Sequence, residues 1–65
     1  MDVMEIMAKA IENEKKSEDL YRKCAEESSD PETKAVFETL ANDEHNHQRV
    51  LKERLVALKL KMHRF

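Results

Sequence analysis

Ser28-Ser29-Asp30-Pro31 (SSDP) is the one break in a chain otherwise made of helix-favouring residues, and its reading decides the fold. Asp30 can accept a hydrogen bond from the amides of a following turn. Pro31 suits the first helical position, where no amide hydrogen is needed, and Glu32 complements the positive end of a helix. One helix therefore starts at Pro31 and another ends just before it. Upstream, Val3, Met7, Ala10, Glu14, Ser17, Tyr21 and Cys24 alternate three- and four-residue steps, which predicts a first helix over about residues 2–28. Downstream, Phe37, Leu40, Glu44, His47, Leu51, Leu55, Leu58 and Met62 keep the same rhythm, which predicts a second helix over about 31–62, some ~45 Å long at ~1.5 Å per residue. So short a connection makes the pair an antiparallel hairpin.

The composition agrees with an all-α fold. Of 65 residues, 40% are charged, none is Gly, one is Pro and only three are aromatic, so Glu, Lys, Ala, Leu and Met dominate. A single domain over 1–65 is the expectation, and a core of that size supplies only about 3–5 kcal/mol unaided. A hairpin also covers one side of each apolar stripe and leaves the other in water. A homo-oligomer is expected in consequence, at least a dimer closing into a four-helix bundle.

Charge and patterning exclude other classes. Lys and Arg are scattered among Asp and Glu with a net charge of -2, which makes no basic face for nucleic acid, and no run of about 18 apolar residues offers a membrane span. A lone Cys24 and an N-terminus without leader-like pattern lead to the expectation of a reducing, cytoplasmic setting. Cys24 reads as a small hydrophobe, the Met residues as packing, and His45 and His63 as solvent-facing.

Within NDEHNHQRVL (42–51), Glu44 and His47 stand on the stripe of the second helix, as Glu14 stands on that of the first. Burying an unpaired carboxylate costs far more than packing returns, so three such residues in one hairpin need a common cause. Their heights supply it. Counted from the centre of the turn, Glu14 and the midpoint of Glu44 and His47 differ by under about 1 Å at ~1.5 Å rise per residue. The i, i+3 spacing sets Glu44 and His47 on one side of their helix. A two-fold dimer would then gather four carboxylates and two imidazoles at one level, the ligand set of dinuclear carboxylate bundles: a Glu from each of two helices and Glu-x-x-His from each of the other two.

IENEKKSEDLY followed by KAVFETLANDEHNH resembles the rubrerythrin branch of the ferritin-like superfamily over roughly residues 8–55. The family's helices carry a Glu seven residues before a Tyr, then Glu-x-x-His after an Ala-rich apolar stretch. The resemblance carries over Glu14 as the first-helix ligand, Tyr21 as the Tyr two turns on, and Glu44 with His47 as the second-helix pair. With two helices rather than four, the chain is similar to half-length members such as the encapsulated ferritins, which build the site across a dimer. With only Cys24, no Cys-rich rubredoxin domain like that of rubrerythrins proper is expected, and KLKMHRF (59–65) reads as continued helix rather than a shell-addressing tail.

Hard carboxylates with borderline imidazole suit iron(II) or manganese, with zinc also possible. The expectation is two iron ions per dimer. The resemblance implies ferroxidase or peroxide-reducing chemistry, with Glu14, Glu44, His47 and Tyr21 as the catalytic set. Glu44 is expected to bridge, Glu14 to terminate one ion and His47 to bind through one nitrogen, with Asp43 a candidate acceptor for its other N–H. Glu18, one turn after Glu14 and nearer the edge, is an auxiliary candidate that could guide iron inward or belong to a solvated face. Two alternatives stand beside this reading: a metal site without turnover, and a helical dimerisation module whose polar residues fix register.

Overall fold

A computed structural model describes residues 2–62, and these form two helices, α1 (Val3–Glu27) and α2 (Pro31–Met62), packed antiparallel. The expected termini at residues 2 and 28 are the caps. Asp2 accepts the Met4 amide at 2.9 Å, and the Ser28 amide donates to the Ala25 carbonyl at 3.3 Å. Before α2, the Asp30 carboxylate accepts both the Thr33 amide (2.9 Å) and the Thr33 hydroxyl (2.6 Å), while Pro31 occupies the first turn. These Thr33 bonds, the hydroxyl's first, hold the Asp30 carboxyl below its usual range. The turn needs no glycine, since no described residue has positive φ. His63 lies outside the described residues, as does the end of the KLKMHRF segment.

Each helix contributes a heptad seam to the hairpin. On α1, Met4, Met7, Ala10, Ile11, Glu14, Ser17, Glu18, Tyr21, Cys24 and Ala25 are buried or half-buried, as is the cap Ser28; on α2, Phe37, Ala41, Glu44, Gln48, Leu51, Leu55 and Leu58 are. Steps of three and four residues keep each line facing the partner helix. The fully enclosed core is small: Ala25 is 5% exposed and Ala41 0%, where the backbones approach, and Tyr21 stacks on Phe37 with ring centroids 6.3 Å apart. Val3, Ile6, Leu20, Val36, Leu40 and Val50 remain exposed.

The stripe read from the sequence runs beside the most buried line: it takes Val3, Ala10, Ser17 and Cys24 next to Met4, Ile11, Glu18 and Ala25, and Leu40 and His47 next to Ala41 and Gln48; Ala10, Ser17 and Cys24 are half-buried, whereas Val3, Leu40 and His47 are exposed. His47 is therefore exposed in the hairpin rather than core-facing, and Glu18 is buried rather than solvated. The physical reason is that uncharged residues border the seam on one side of each helix, so a stripe drawn from composition is pulled toward them and away from Glu18 and Gln48. At ~100° per residue the offset is about 50° on α1 and about 25° on α2. In antiparallel helices both offsets turn toward one side of the hairpin.

Glu18 is the most consequential of the displaced residues, being 4% exposed and charged. Its carboxylate accepts from Gln48 Nε2 (2.8 Å) and from Arg22 Nε (2.9 Å) and Nη2 (2.7 Å), with His45 Nδ1 at 3.3 Å. The Gln48 and Arg22 bonds outweigh the opposing effect of desolvation and pull its pKa down from 4.5 to about 2. A depressed carboxyl stabilises the fold above its unfolded pKa, and that contribution is lost as pH falls through the folded value. The melting-temperature advantage of wild type over Glu18→Gln is accordingly expected to be constant above about pH 5 and to vanish between pH 4.5 and about 2. An advantage that persists unchanged to pH 2 would contradict the ion-paired Glu18.

Candidate metal centre

The site is assembled by helix register. Three residues, 28–30, separate the helices, and Glu14 and Glu44 each lie 15 positions from Ser29, so the antiparallel packing sets them at one level. His47 follows Glu44 by one turn on the flank shared with Glu14. One ligand atom from each of Glu14, Glu44 and His47 lies within 4.8 Å of the others. His47 Nδ1 is 3.2 Å from Glu14 Oε2, the only cross-helix hydrogen bond made by either side chain among the described residues.

Burial is graded across the group. Glu44 is half-buried, the Glu14 side chain is 28% exposed and the His47 ring 58% exposed, so the centre opens on the uncharged flank. Electrostatically it is unbalanced. Among the described residues Lys15 and Arg22 pair with Glu18, Lys16 with Glu12 and Arg49 with Glu53, while no Lys or Arg comes within 4.0 Å of the Glu14 or Glu44 carboxylates. Two carboxylates and a neutral imidazole carry two negative charges that a divalent cation would neutralise, and all their atoms are oxygen or nitrogen donors of the kind that hard and borderline cations favour. The residues present thus fit a metal ion, with too few donors in one chain to complete a usual coordination shell.

The remaining sequence candidates fall around this group. Tyr21 is half-buried and stacks on Phe37, beside the group rather than in it. Asp43 is exposed and makes no hydrogen bond to His47 among the described residues; the acceptor facing the His47 ring is Glu14 instead. Glu18 lies outside the group, with its carboxylate engaged by Gln48 and Arg22. Cys24 is free and half-buried on the same flank as Ser17. Sequence reading missed Gln48, although the heptad steps Ala41, Gln48, Leu55 place it on the seam.

A family model described as Rubrerythrin matches residues 5–64. Searches of curated proteins and of solved structures gave no match.

A site poised for a cation stores repulsion when metal-free. Glu44→Gln removes one of two neighbouring negative charges while keeping size and shape. It is expected to raise the melting temperature of the metal-free protein by roughly 2–6 °C, on the scale of about 0.5–1 kcal/mol for a domain this small, and to abolish tight binding of divalent manganese. A lower melting temperature with unchanged manganese affinity would show that Glu44 is structural.

Proposed function

The chain belongs to the rubrerythrin family, and from that premise we propose that it is a dinuclear non-haem iron protein whose site is shared by two copies and which oxidises ferrous iron with oxygen or peroxide. The observation that carries the reading is the convergence of Glu14, Glu44 and His47 within 4.8 Å, with no Lys or Arg among the described residues within 4.0 Å of the two carboxylates. Two copies supply four carboxylates and two imidazoles, whereas one supplies half that set.

The exposed flank supports the pairing. Along α1 the residues Val3, Ile6, Ala10, Asn13, Ser17, Leu20 and Cys24 recur in three- and four-residue steps without a single charge, in a chain that is 40% charged. Val36, Leu40, His47 and Val50 lie on the same side of α2, and Val3, Ile6, Leu20, Val36 and Val50 are 46–59% exposed. This is a second seam continuous with the open side of the metal group. A second copy seated there would cover the apolar residues and bring the two ligand sets together. No helix among the described residues is long and apolar enough to cross a membrane, so a lipid partner has no such support.

In this reading Glu44, flanked by Glu14 and by its own His47, would be shared between the ions, Glu14 would hold one of them and His47 would bind through a ring nitrogen. A pair of iron ions held there would supply two electrons to oxygen or peroxide in passing from ferrous to ferric. The protein's own part is to hold three ionisable groups in register, to keep Lys and Arg away, and to screen the centre with Tyr21, Leu40 and Leu51. Tyr21 is a wall and redox neighbour in this scheme. A non-catalytic dimerisation module is the second reading, favoured by the 3.2 Å contact in which Glu14 and His47 already satisfy each other.

Anaerobic loading with ferrous iron followed by exposure to oxygen or peroxide separates the two. Wild type is expected to retain one iron per chain and to oxidise excess ferrous iron at least a hundredfold faster than Glu44→Ala. Equal rates, limited to those of free iron, would remove the oxidoreductase reading. The second seam has its own check: Ile6→Lys and Val36→Lys alter exposed residues and should leave each hairpin helical but shift its mass in solution to that of a single chain. Dimers unaffected by both substitutions would place the interface elsewhere.

A further inference from the structure

The seam carries a second polar layer that the proposed chemistry does not use. Glu18 and Gln48 are each 4% exposed, the only buried polar or charged residues among those described. Gln48 Nε2 donates to Glu18 Oε1 at 2.8 Å and also lies 3.3 Å from the main-chain carbonyl of Glu44. One side-chain amide thus joins the carboxylate of α1 to the backbone of the residue that would be shared between the ions.

The geometry of this bridge is unusual for a packed pair. Glu18 lies 11 positions before Ser29 and Gln48 lies 19 after it, so the two are staggered along the hairpin rather than directly opposed. Helical side chains lean toward their own N-terminus. In antiparallel helices that lean carries Glu18 away from the turn and Gln48 toward it, so that they meet. Because Gln48 Nε2 also lies 3.3 Å from the Glu44 carbonyl, the bond crosses the hairpin within one turn of the metal group.

Its rigidity comes from saturation. Arg22 donates twice to Glu18 at 2.7 and 2.9 Å from one turn away, and His45 Nδ1 and Lys15 Nζ approach it at 3.3 and 3.9 Å from the solvent side. No buried side-chain N or O atom among the described residues lacks a partner. A slip of either helix by one position would move the two ends about 1.5 Å relative to each other and break the 2.8 Å bond. Leucines slide past leucines at little cost; a charge-assisted hydrogen bond between buried groups does not.

We infer that the Glu18–Gln48 bridge is the register lock of the hairpin and that both are positioning residues, holding Glu14 opposite Glu44 and fixing the backbone from which Glu44 projects. This rests on the proposed metal site, and it gives Glu18 a role other than iron guidance, since its carboxylate is already taken on all sides.

Cobalt(II) titration tests it, because the visible absorption of the ion reports both affinity and coordination number. Gln48→Met replaces the amide with an apolar side chain of the same length and similar helix propensity. It is expected to weaken Co(II) binding at least tenfold, in the range seen when groups that orient ligands are removed, and to change the shape of the absorption bands, while the helix signal of the metal-free protein is retained. Should Gln48→Met fail to fold, Gln48→Leu takes its place with the same expectation. Wild-type affinity and spectrum in a folded single variant would overturn the inference and leave the bridge a stabilising contact only. Absence of Co(II) binding by wild type would instead overturn the metal site itself, and the inference with it.

Discussion

Two carboxylates and an imidazole held at one level between two helices, with no Lys or Arg among the described residues within 4.0 Å of the carboxylates, form the constraint on which the rest of this molecule depends. The nearby Glu12, Glu18, Asp19 and Glu53, by contrast, each pair with a Lys or Arg about one turn away. The unbalanced group sits where the hairpin is open, on the flank that carries exposed Leu40 and Val36. Electrostatics and apolar exposure thus converge on one face. A cation answers the first and a second copy the second.

The opposite face obeys different rules. There Lys15, Arg22 and His45 surround Glu18, whose charge is balanced within the hairpin and whose pKa is held near 2 by Gln48 and Arg22. The two faces lie on either side of one seam, so the chain keeps a satisfied polar layer beside an unsatisfied one. Buried polar groups in small helical assemblies cost stability and return uniqueness of register. In a seam built of Ala, Leu, Met and one aromatic stack, that layer adds a directional contact to the register set by the three-residue turn.

The fold was legible because its signals are local. SSDP supplies a cap and a proline at consecutive positions, and the caps Asp2, Ser28 and Asp30 account for the helix bounds within a residue. Glu14, Glu44 and His47 were legible because equal distance from the turn converts directly into equal height. The seam was harder. A three/four pattern gives the direction of a helix's apolar face but not how two flanks are divided between partners, so Leu40 and His47 were read where Ala41 and Gln48 are buried. Glu18 was missed for the same reason: a charged residue flanked by Lys15, Asp19 and Arg22 looks solvated until the partner helix delivers Gln48. Its burial is a property of the pair.

Native mass spectrometry of the manganese-loaded protein reads the central claim, that two copies share one centre, most directly. The account predicts a single species of two chains carrying two ions, with metal absent from any single chain released at low concentration. A single chain that holds its own ion tightly, or a two-chain species that takes up none, would contradict it.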